Sequence, residues 1–413
     1  MTICDKTDFS FAGFSGLFQL KAAWIGKYPP INAESITFEK TVNSRLPATL
    51  HGLFEVVWVF EKEIFETDRW ELILDEAVRL LKKNGYLVIR FSETKDRTGF
   101  HLKSILGRNP LLSVKLCYQE EYKNSEKVII LSICRIYSDE YIKKEWTIGV
   151  LHDGRKKENI VKLIRSFADI NSANVPIEFL IAGPKFELTK DLGGLDIRFV
   201  SIESQDKLAR ITEKKNCICK NAKYANIAIF HDRYIVNDDF FEGFDKFGYD
   251  FDYITVAQKY EGGTFFPGYA ALPDRKLMWL NPQFETTYNT LYQGQYINGG
   301  LTIVKKHIID ACQLYNELLL WNEAEDVELS FYLRNIGIVP RVNSFSTATT
   351  IGINSHYTDV FLDLTEKHSV SVKHQGLLSM AYKLWSKLPF GIKQKIRRTR
   401  GFYAIKKMLL RNR

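Results

Sequence analysis

Long uncharged stretches are missing from this 413-residue sequence. None approaches the roughly eighteen apolar residues that a membrane-spanning helix needs. The opening MTICDKTDF has no basic stretch followed by an apolar core, so no secretory leader is expected. Cysteine is scarce, six in all and without paired spacing, which argues against a disulfide framework and for a reducing compartment. A cytoplasmic protein is the expectation. No internal repeat or low-complexity tract stands out either. Acidic residues are absent from Ala381 to Arg413, where 11 Lys and Arg collect. The rest of the chain then holds 46 basic against 49 acidic residues, so the net charge of +8 belongs to the tail alone. A nucleic-acid-binding protein would more often spread its positive charge over a folded face, and no nucleic-acid partner is expected.

What is present is the composition of a soluble globular protein, 45% hydrophobic and 26% charged. The length is too great for one ordinary core and points to two domains. Residues 1 to about 50 are rich in aromatics and reveal little. From there Val56–Phe60 reads as a strand, Trp70–Lys82 as an amphipathic helix, Asn84-Gly85 as its cap or turn, and Tyr86–Phe91 and Val128–Ile136 as further strands. The segment TDRWELILDEAVRLLKKNGYLVIRF resembles the second half of a class I methyltransferase. That resemblance implies a partial Rossmann-like domain over residues 1–140. Binding S-adenosylmethionine also needs a Gly-rich turn after the first strand, and an acidic residue after the second. Ala12-Gly13-Phe14-Ser15-Gly16 is the nearest stretch, with no clear strand before it. The domain therefore reads as degenerate, with a packing or interaction role.

Ser138–Glu145 is polar and charged, a linker. Beyond it strands and helices alternate: Trp146–Leu151, a helix from Lys157 to Ala168, Val175–Ala182 and Leu195–Ile202. This spacing indicates a mostly parallel α/β sheet. The centre of the chain is ARITEKKNCICKNAKYANIAIFHDRYIVNDDFF, residues 209–241. Ile211, Cys217, Ile218, Ala222 and Tyr224 are spaced to bury one face of a helix, with Lys214, Lys215 and Asn216 on the other. The charge-free run Ile227-Ala228-Ile229-Phe230 suits a central strand covered on both faces. His231-Asp232-Arg233 follows at its carboxyl end, where ligands bind in open α/β sheets. Cys217 and Cys219, one residue apart and without further partners, read as ordinary thiols and not as a zinc site. Asn237-Asp238-Asp239 reads as a helix N-cap cluster.

This order of helix, buried strand and acidic tip resembles the middle of a GT-A glycosyltransferase of family 2. Trp321-Asn322-Glu323-Ala324-Glu325-Asp326 is similar to that family's Glu-Asp motif at the head of a helix. Asn298-Gly299-Gly300 is similar to its acceptor-side segment. The resemblance spans about residues 146–350 and implies a nucleotide-sugar domain of α/β class at 146–375. It implies Asp326 as general base, with Glu325 as the alternative, and Asn298, Gly299, Gly300 and Trp321 on the acceptor side. It implies Asp232 as a ligand of Mg²⁺ or Mn²⁺, with His231 or the distant His356 as helpers. Two departures leave alternatives open. Arg233 stands where a second acid usually follows, so it stabilises phosphate directly, or Asp232 merely caps the strand. Ala182-Gly183-Pro184-Lys185 replaces the acids that hold the nucleobase, leaving Asp153 and Glu203 as candidates. Lys214, Lys215 and Asn216 are the helix residues that could reach the diphosphate. The aromatics Phe265, Phe266 and Tyr269 serve either sugar stacking or packing, and Trp279, Tyr288, Tyr292 and Tyr296 are expected to form an acceptor wall.

The tail, residues 376–413, has its own pattern. Leu377, Leu378, Ala381, Leu384, Trp385 and Leu388 recur at helical spacing beside Lys383 and Lys387, and Pro389 ends the stripe. A basic amphipathic helix with Trp at its edge suits an anionic membrane surface. Combined with the resemblance, this yields an inverting glycosyltransferase at the inner face of the cell membrane. Its acceptor would be a lipid-linked surface polysaccharide of O-antigen or capsule type. A methyltransferase acting on a glycan and a non-catalytic scaffold are the alternatives. Donor sugar, linkage and oligomeric state are not encoded legibly.

Overall fold

The computed structural model describes residues 14–38, 44–60, 64–67, 69–122, 126–172, 174–200, 210–271, 283–285, 294–312, 314–320, 323–353 and 361–363. Among them the chain builds two large sheets and one small one, a mixed α/β architecture. The first unit contains β1 (Ala22–Ile25), β2 (Glu34–Ile36), β3 (Phe54–Val59), α1 (Trp70–Leu80), β4 (Leu81–Ser92), α2 (Gly99–Arg108), β5 (Leu112–Glu121) and β6 (Glu126–Arg135). Its six strands lie in the order β2-β1-β3-β4-β6-β5. The first four are parallel, and β6 runs antiparallel to both β4 and β5. The unparsed start of the chain thus supplies two parallel strands.

One expectation is corrected here. Asn84-Gly85 is neither a cap nor a turn, because α1 stops at Leu80 and β4 begins at once. Asn84 and Gly85 pair with Cys134 and Ile133 across the sheet. Leu81, extended and fully buried, ends the helix by pairing with Phe54. Tertiary pairing here overrides local turn chemistry.

The second sheet begins with β7 (Trp146–Leu151), α3 (Lys157–Ile170), β8 (Ile177–Ala182), β9 (Asp196–Val200), α4 (Ile211–Asn221) and β10 (Asn226–His231). It continues through β11 (Tyr234–Val236), α5 (Phe240–Phe247), β12 (Tyr253–Tyr260) and β13 (Phe265–Phe266). Strands β14 (Tyr269–Ala271), β15 (Gln283–Glu285) and β16 (Gln295–Ile297) belong to the small sheet. The chain then re-enters with β17 (Leu301–Lys305), α6 (Lys306–Ala311), α7 (Glu325–Asn335) and β18 (Arg341–Thr350), and β19 (Phe361–Asp363) completes the small sheet. Strands β9, β8, β7 and β10 are parallel, but β17 runs antiparallel to β10 and to β12. The sheet is therefore mixed and not mostly parallel, since the chain enters β17 from the carboxyl edge of β10. Asp239 does not cap α5 with its side chain, as the Asn-Asp-Asp cluster suggested. Its carboxylate is taken by the amide and hydroxyl of Thr347 on β18.

Each face of this sheet has its own core. On one side Ile160, Leu163 and Phe167 of α3 and Phe240 and Phe244 of α5 pack on Ile148, Val150, Ala228 and Phe230. On the other, Ile211 and Ile218 of α4 and Leu329 and Leu333 of α7 pack on Leu151, Ile227 and Ile229. Alternation along β7 and β10 feeds the two cores in turn. Helix α4 lies very close to β7, because Gly149 has no Cβ to collide with the Ile218 side chain. That approach sets the depth at which the preceding residues of α4, Lys214 and Lys215, meet the sheet edge. Among the described residues no helix is long and apolar enough to cross a membrane.

The two units meet across a buried, charge-balanced cluster. In Asp250-Phe251-Asp252, Phe251 enters the core while the two carboxylates turn toward the first unit. Arg79 donates to Asp250 and to Asp252, each at 2.6 Å, and Arg135 binds Asp250 at 2.6 Å. Arg45 binds Glu76 at 3.0 Å, and Arg341 returns from β18 to Asp75 at 2.6 Å and Glu76 at 2.8 Å. Tyr141, from the expected linker, donates to Asp252 at 2.6 Å. Four guanidinium groups thus face four carboxylates. Burial alone would push the Asp250 carboxyl up, yet Arg135 and Arg79 hold it well below the usual range. Burial also acts against ionised Asp252, and Arg79 and His307 overcome it.

Removing one member would strand its partners as unpaired buried charges. Asp250→Asn is expected to cost about 3–5 kcal/mol of stability, readable by urea denaturation at neutral pH. The depressed carboxyls contribute stability above their ordinary value of 3.8 and lose it as pH falls toward their lower folded values. Acid unfolding of the wild type should therefore steepen below that value, and less so in Asp250→Asn.

Candidate functional site

Strand register decides what meets at the sheet edge. His231 of β10 is level with Leu151 of β7, and Leu151 with Ala182 of β8. The segments that follow, His152–Arg155, Gly183-Pro184 and Asp232-Arg233, therefore emerge together at the carboxyl ends of parallel strands. On the other flank β17 begins at Leu301 opposite Phe230, so the turn Asn298–Gly300 sits at the same edge. The His231 amide donates to the Gly300 carbonyl at 2.9 Å. The Gly299 amide donates to Asp326 Oδ2 at 2.7 Å. Asp326 and the residue before Asp232 thus bind one three-residue turn.

Gly299 is the point of convergence. A Cβ there would stand 2.8 Å from Glu325 Oε1, 3.0 Å from Asp326 Cβ and 3.0 Å from Lys215 Nζ. No side chain can occupy that space without moving a charged group. Asn298 shapes the turn, its Oδ1 accepting from the Gly300 amide at 3.2 Å. Helix α7 starts from Ala324 in the left-handed region, φ 61°, a conformation that costs a non-glycine residue energy and is held here by its surroundings. It brings Glu325 and Asp326 to the first turn, where the helix dipole favours their charge. Asp326 Oδ1 also accepts from the Val327 amide at 2.9 Å. Even so, burial, and then the charge of Glu325, push the Asp326 carboxyl up to about 6.

The helix residues sort differently from the sequence expectation. Lys215 is not on an exposed face. It is completely buried, with Nζ on Glu325 Oε1 at 3.1 Å and on the Gly299 carbonyl at 2.9 Å. Asn216 is also turned inward, bonded to the Tyr315 carbonyl at 2.8 Å and to Glu317 at 2.9 Å. Both face the protein because Ile218 and Cys219, rather than Cys217 and Tyr224, form the buried stripe of α4 with Ile211 and Ala222. Lys214 lies at the strand edge, Nζ on the His152 carbonyl at 3.0 Å.

Around Asp232 the field is cationic. Its backbone is held by Asn159 of α3 at 2.9 Å, and among the described residues its carboxylate accepts no hydrogen bond. Burial raises its pKa, with the charges of Lys156, Arg233 and Arg155 opposing and that of Asp153 adding. His231 is kept neutral, first by burial and then by Arg233, Lys215 and Lys214. Among the described residues its buried Nε2 has no hydrogen-bond partner. Asp153 binds Arg155 at 2.7 Å, and this bond holds its carboxyl low. His152, which sequence reasoning passed over, accepts from the Gly154 amide at 3.0 Å and sets its ring edge-on to Phe186. Burial and Lys214 lower its pKa to about 4. Only its position beside Asp153 could have flagged it. Among the described residues no group of three His, Cys, Asp or Glu is arranged for a metal. The free Asp232 carboxylate and the neutral His231 nitrogen suit an ion that takes most of its ligands from a phosphorylated substrate.

Phe266 and Tyr269 are buried, and the Tyr269 hydroxyl donates to the Pro340 carbonyl at 3.0 Å, so both pack. Tyr296 is buried too. Glu203, Trp321, His356, Trp279, Tyr288, Tyr292 and the basic tail lie outside the described residues.

No family model matches the sequence, and no curated protein does. Among solved structures the chain is similar to GalNAc-T7 with UDP, GalNAc and Mn²⁺, at 12% identity and a TM-score of 0.40, over 50% of this chain and 44% of that one. It is similar to residues 1–349 of S. aureus TarS at 14% identity and a TM-score of 0.33, over 50% of this chain and 60% of that one. It is similar to the inositol-1-phosphate CTP transferase of T. maritima at 11% identity and a TM-score of 0.32, over 53% of this chain and 95% of that one. The chain spans less than two thirds of the GalNAc-T7 and TarS chains.

Proposed function

We propose that the chain is an inverting glycosyltransferase that uses a nucleotide-sugar donor. The observation that carries this is the meeting at Gly299 of three segments far apart in sequence: α4, the Asn298–Gly300 turn and the Glu325-Asp326 helix start. In this reading the donor diphosphate lies at the carboxyl ends of β7 and β10. Arg233, Lys214 and Lys156 offset the charge that it gains. A divalent ion on Asp232 and His231 would supply further charge stabilisation to the leaving group. The acceptor oxygen bonds to the anomeric carbon as the bond from that carbon to the diphosphate breaks, and the electron pair leaves with the diphosphate. The acceptor proton passes to Asp326, whose raised pKa suits a base near neutral pH. A single displacement from the opposite face inverts the anomeric centre. Asn298, Gly299, Gly300 and Trp321 would line the acceptor side, and Asp153 and Glu203 remain the candidates for the nucleoside.

The division proposed is a non-catalytic methyltransferase-like domain at 1–140, a GT-A domain at 146–375 and the basic helical tail. The loop after β1 supports the first part, since Gly26-Lys27-Tyr28-Pro29-Pro30 holds one glycine where a Gly-rich turn would be needed. The tail would hold the enzyme on anionic lipid at the cytoplasmic membrane face, near a lipid-linked polysaccharide acceptor.

Asp326→Asn is expected to lower kcat by about 10²–10⁴ with little change in donor binding, in a turnover screen of nucleotide sugars with and without Mn²⁺. Activity within a few-fold of wild type would remove the glycosyltransferase reading. Asp232→Ala should abolish any Mn²⁺ dependence found in the same screen. Deleting Ala381–Arg413 should release the protein from anionic vesicles, and undiminished binding would refute the membrane role of the tail.

A further inference from the structure

A completely buried lysine between the donor side and the acceptor side of the site needs an account. Lys215 makes no contact with solvent, and its ammonium has two polar partners, Glu325 Oε1 and the Gly299 carbonyl, with the Tyr315 ring 5.0 Å away. Taking such a charge out of water is costly unless it is paired and hydrogen-bonded. The distinctive feature is which carboxylate it takes. Of the two adjacent acids at the head of α7, Lys215 pairs with Glu325, and Asp326 is left with backbone amides only.

We propose that Lys215 is a positioning residue, not a diphosphate ligand: by binding Glu325 and the Gly299 carbonyl it occupies the Glu325 carboxylate and leaves Asp326, held by backbone amides, as the one acid of the pair that accepts the acceptor proton. The role in turnover rests on the glycosyltransferase reading, whereas the division of labour between the two acids does not. Two carboxylates this close cannot both titrate independently. The ion pair takes up Glu325 and not Asp326. The groups that face Asp326 are Glu325 on its own helix, Lys215 from α4 and the Tyr253 phenol from β12. Glu328, two residues on, is exposed. Lys215 draws the Asp326 proton affinity down and Glu325 draws it up. Removing each therefore has an opposite sign, which a purely structural role would not produce.

The test is the titration of the Asp326 carboxyl in the full-length protein, followed by ¹³C NMR, beside the pH profile of kcat/KM. Lys215→Met should raise the Asp326 proton affinity by about tenfold or more, moving the acidic limb of the profile to higher pH. Glu325→Gln should move both to lower pH. Lys215→Arg should stay near wild type. The double variant Lys215→Met with Glu325→Gln leaves no unpaired buried charge, so it guards against a single variant that fails to fold. Its titration should return toward that of wild type. An Asp326 titration unmoved by either single variant, or a double variant displaced as far as Lys215→Met, overturns the proposal. If the titrations move as expected while Asp326→Asn retains activity, the glycosyltransferase reading fails and the charge arrangement stands.

Discussion

The ammonium of Lys215 is the constraint on which the site depends. A charge without access to water must be met by protein groups, and the groups that meet it here come from two other parts of the chain. One is the head of α7, the other the turn before β17. Both can reach it only because Gly299 has no side chain. The depth of α4 is fixed in turn by the missing Cβ of Gly149 against Ile218. Two glycines, one on the strand and one on the turn, therefore let a helix, a turn and a second helix close on the same few ångströms.

The junction between the units obeys the same rule on a larger scale. Four arginines and four acids are matched there, and the acids of the second unit lie at the entrance to β12. That strand pairs with β17, which begins at the Asn298–Gly300 turn, and with β18. The first unit is thus coupled to the strands that carry the site, although among the described residues it adds none to the site itself. A buried ion network of this kind gains little over apolar packing in free energy, but it is strict about geometry. It fixes which surface of the first unit faces which strands of the second.

How much of this was legible in the sequence depends on the range of the interaction. Strand β10 was legible because a charge-free run ending in His-Asp-Arg has few other uses, and α7 because two acids stand at its first turn. The strand nature of Asn84-Gly85 was not, because it is imposed by β6 about fifty residues away and not by local preference. Strands β1 and β2 are four and three residues long, too short to leave a periodic signature. The inward turn of Lys215 and Asn216 was hidden for the same reason. Lys-Lys-Asn reads as a solvated face until Glu325, 110 residues on, is seen beside it. Asp250-Phe251-Asp252 gave no sign of a junction, because Arg79 and Arg135, which bind its carboxylates, stand 115 to 173 residues earlier.

The surroundings of Asp232 also bear on the order in which ligands would assemble. Lys156, Arg233 and Arg155 all act on that carboxylate, and with Lys214 nearby they outweigh Asp153 and Asp232 together. A divalent ion alone would enter a positive field with one carboxylate and one imidazole to hold it. A diphosphate alone would enter a field that suits it. Once its oxygens are in place the local sign reverses, and the ligands that the protein lacks are supplied by the substrate. On the proposed reading donor binding would come first and any metal would follow. Arg233, standing where a second acid would otherwise be, is then no defect in a metal site. On that reading it would change which partner binds first.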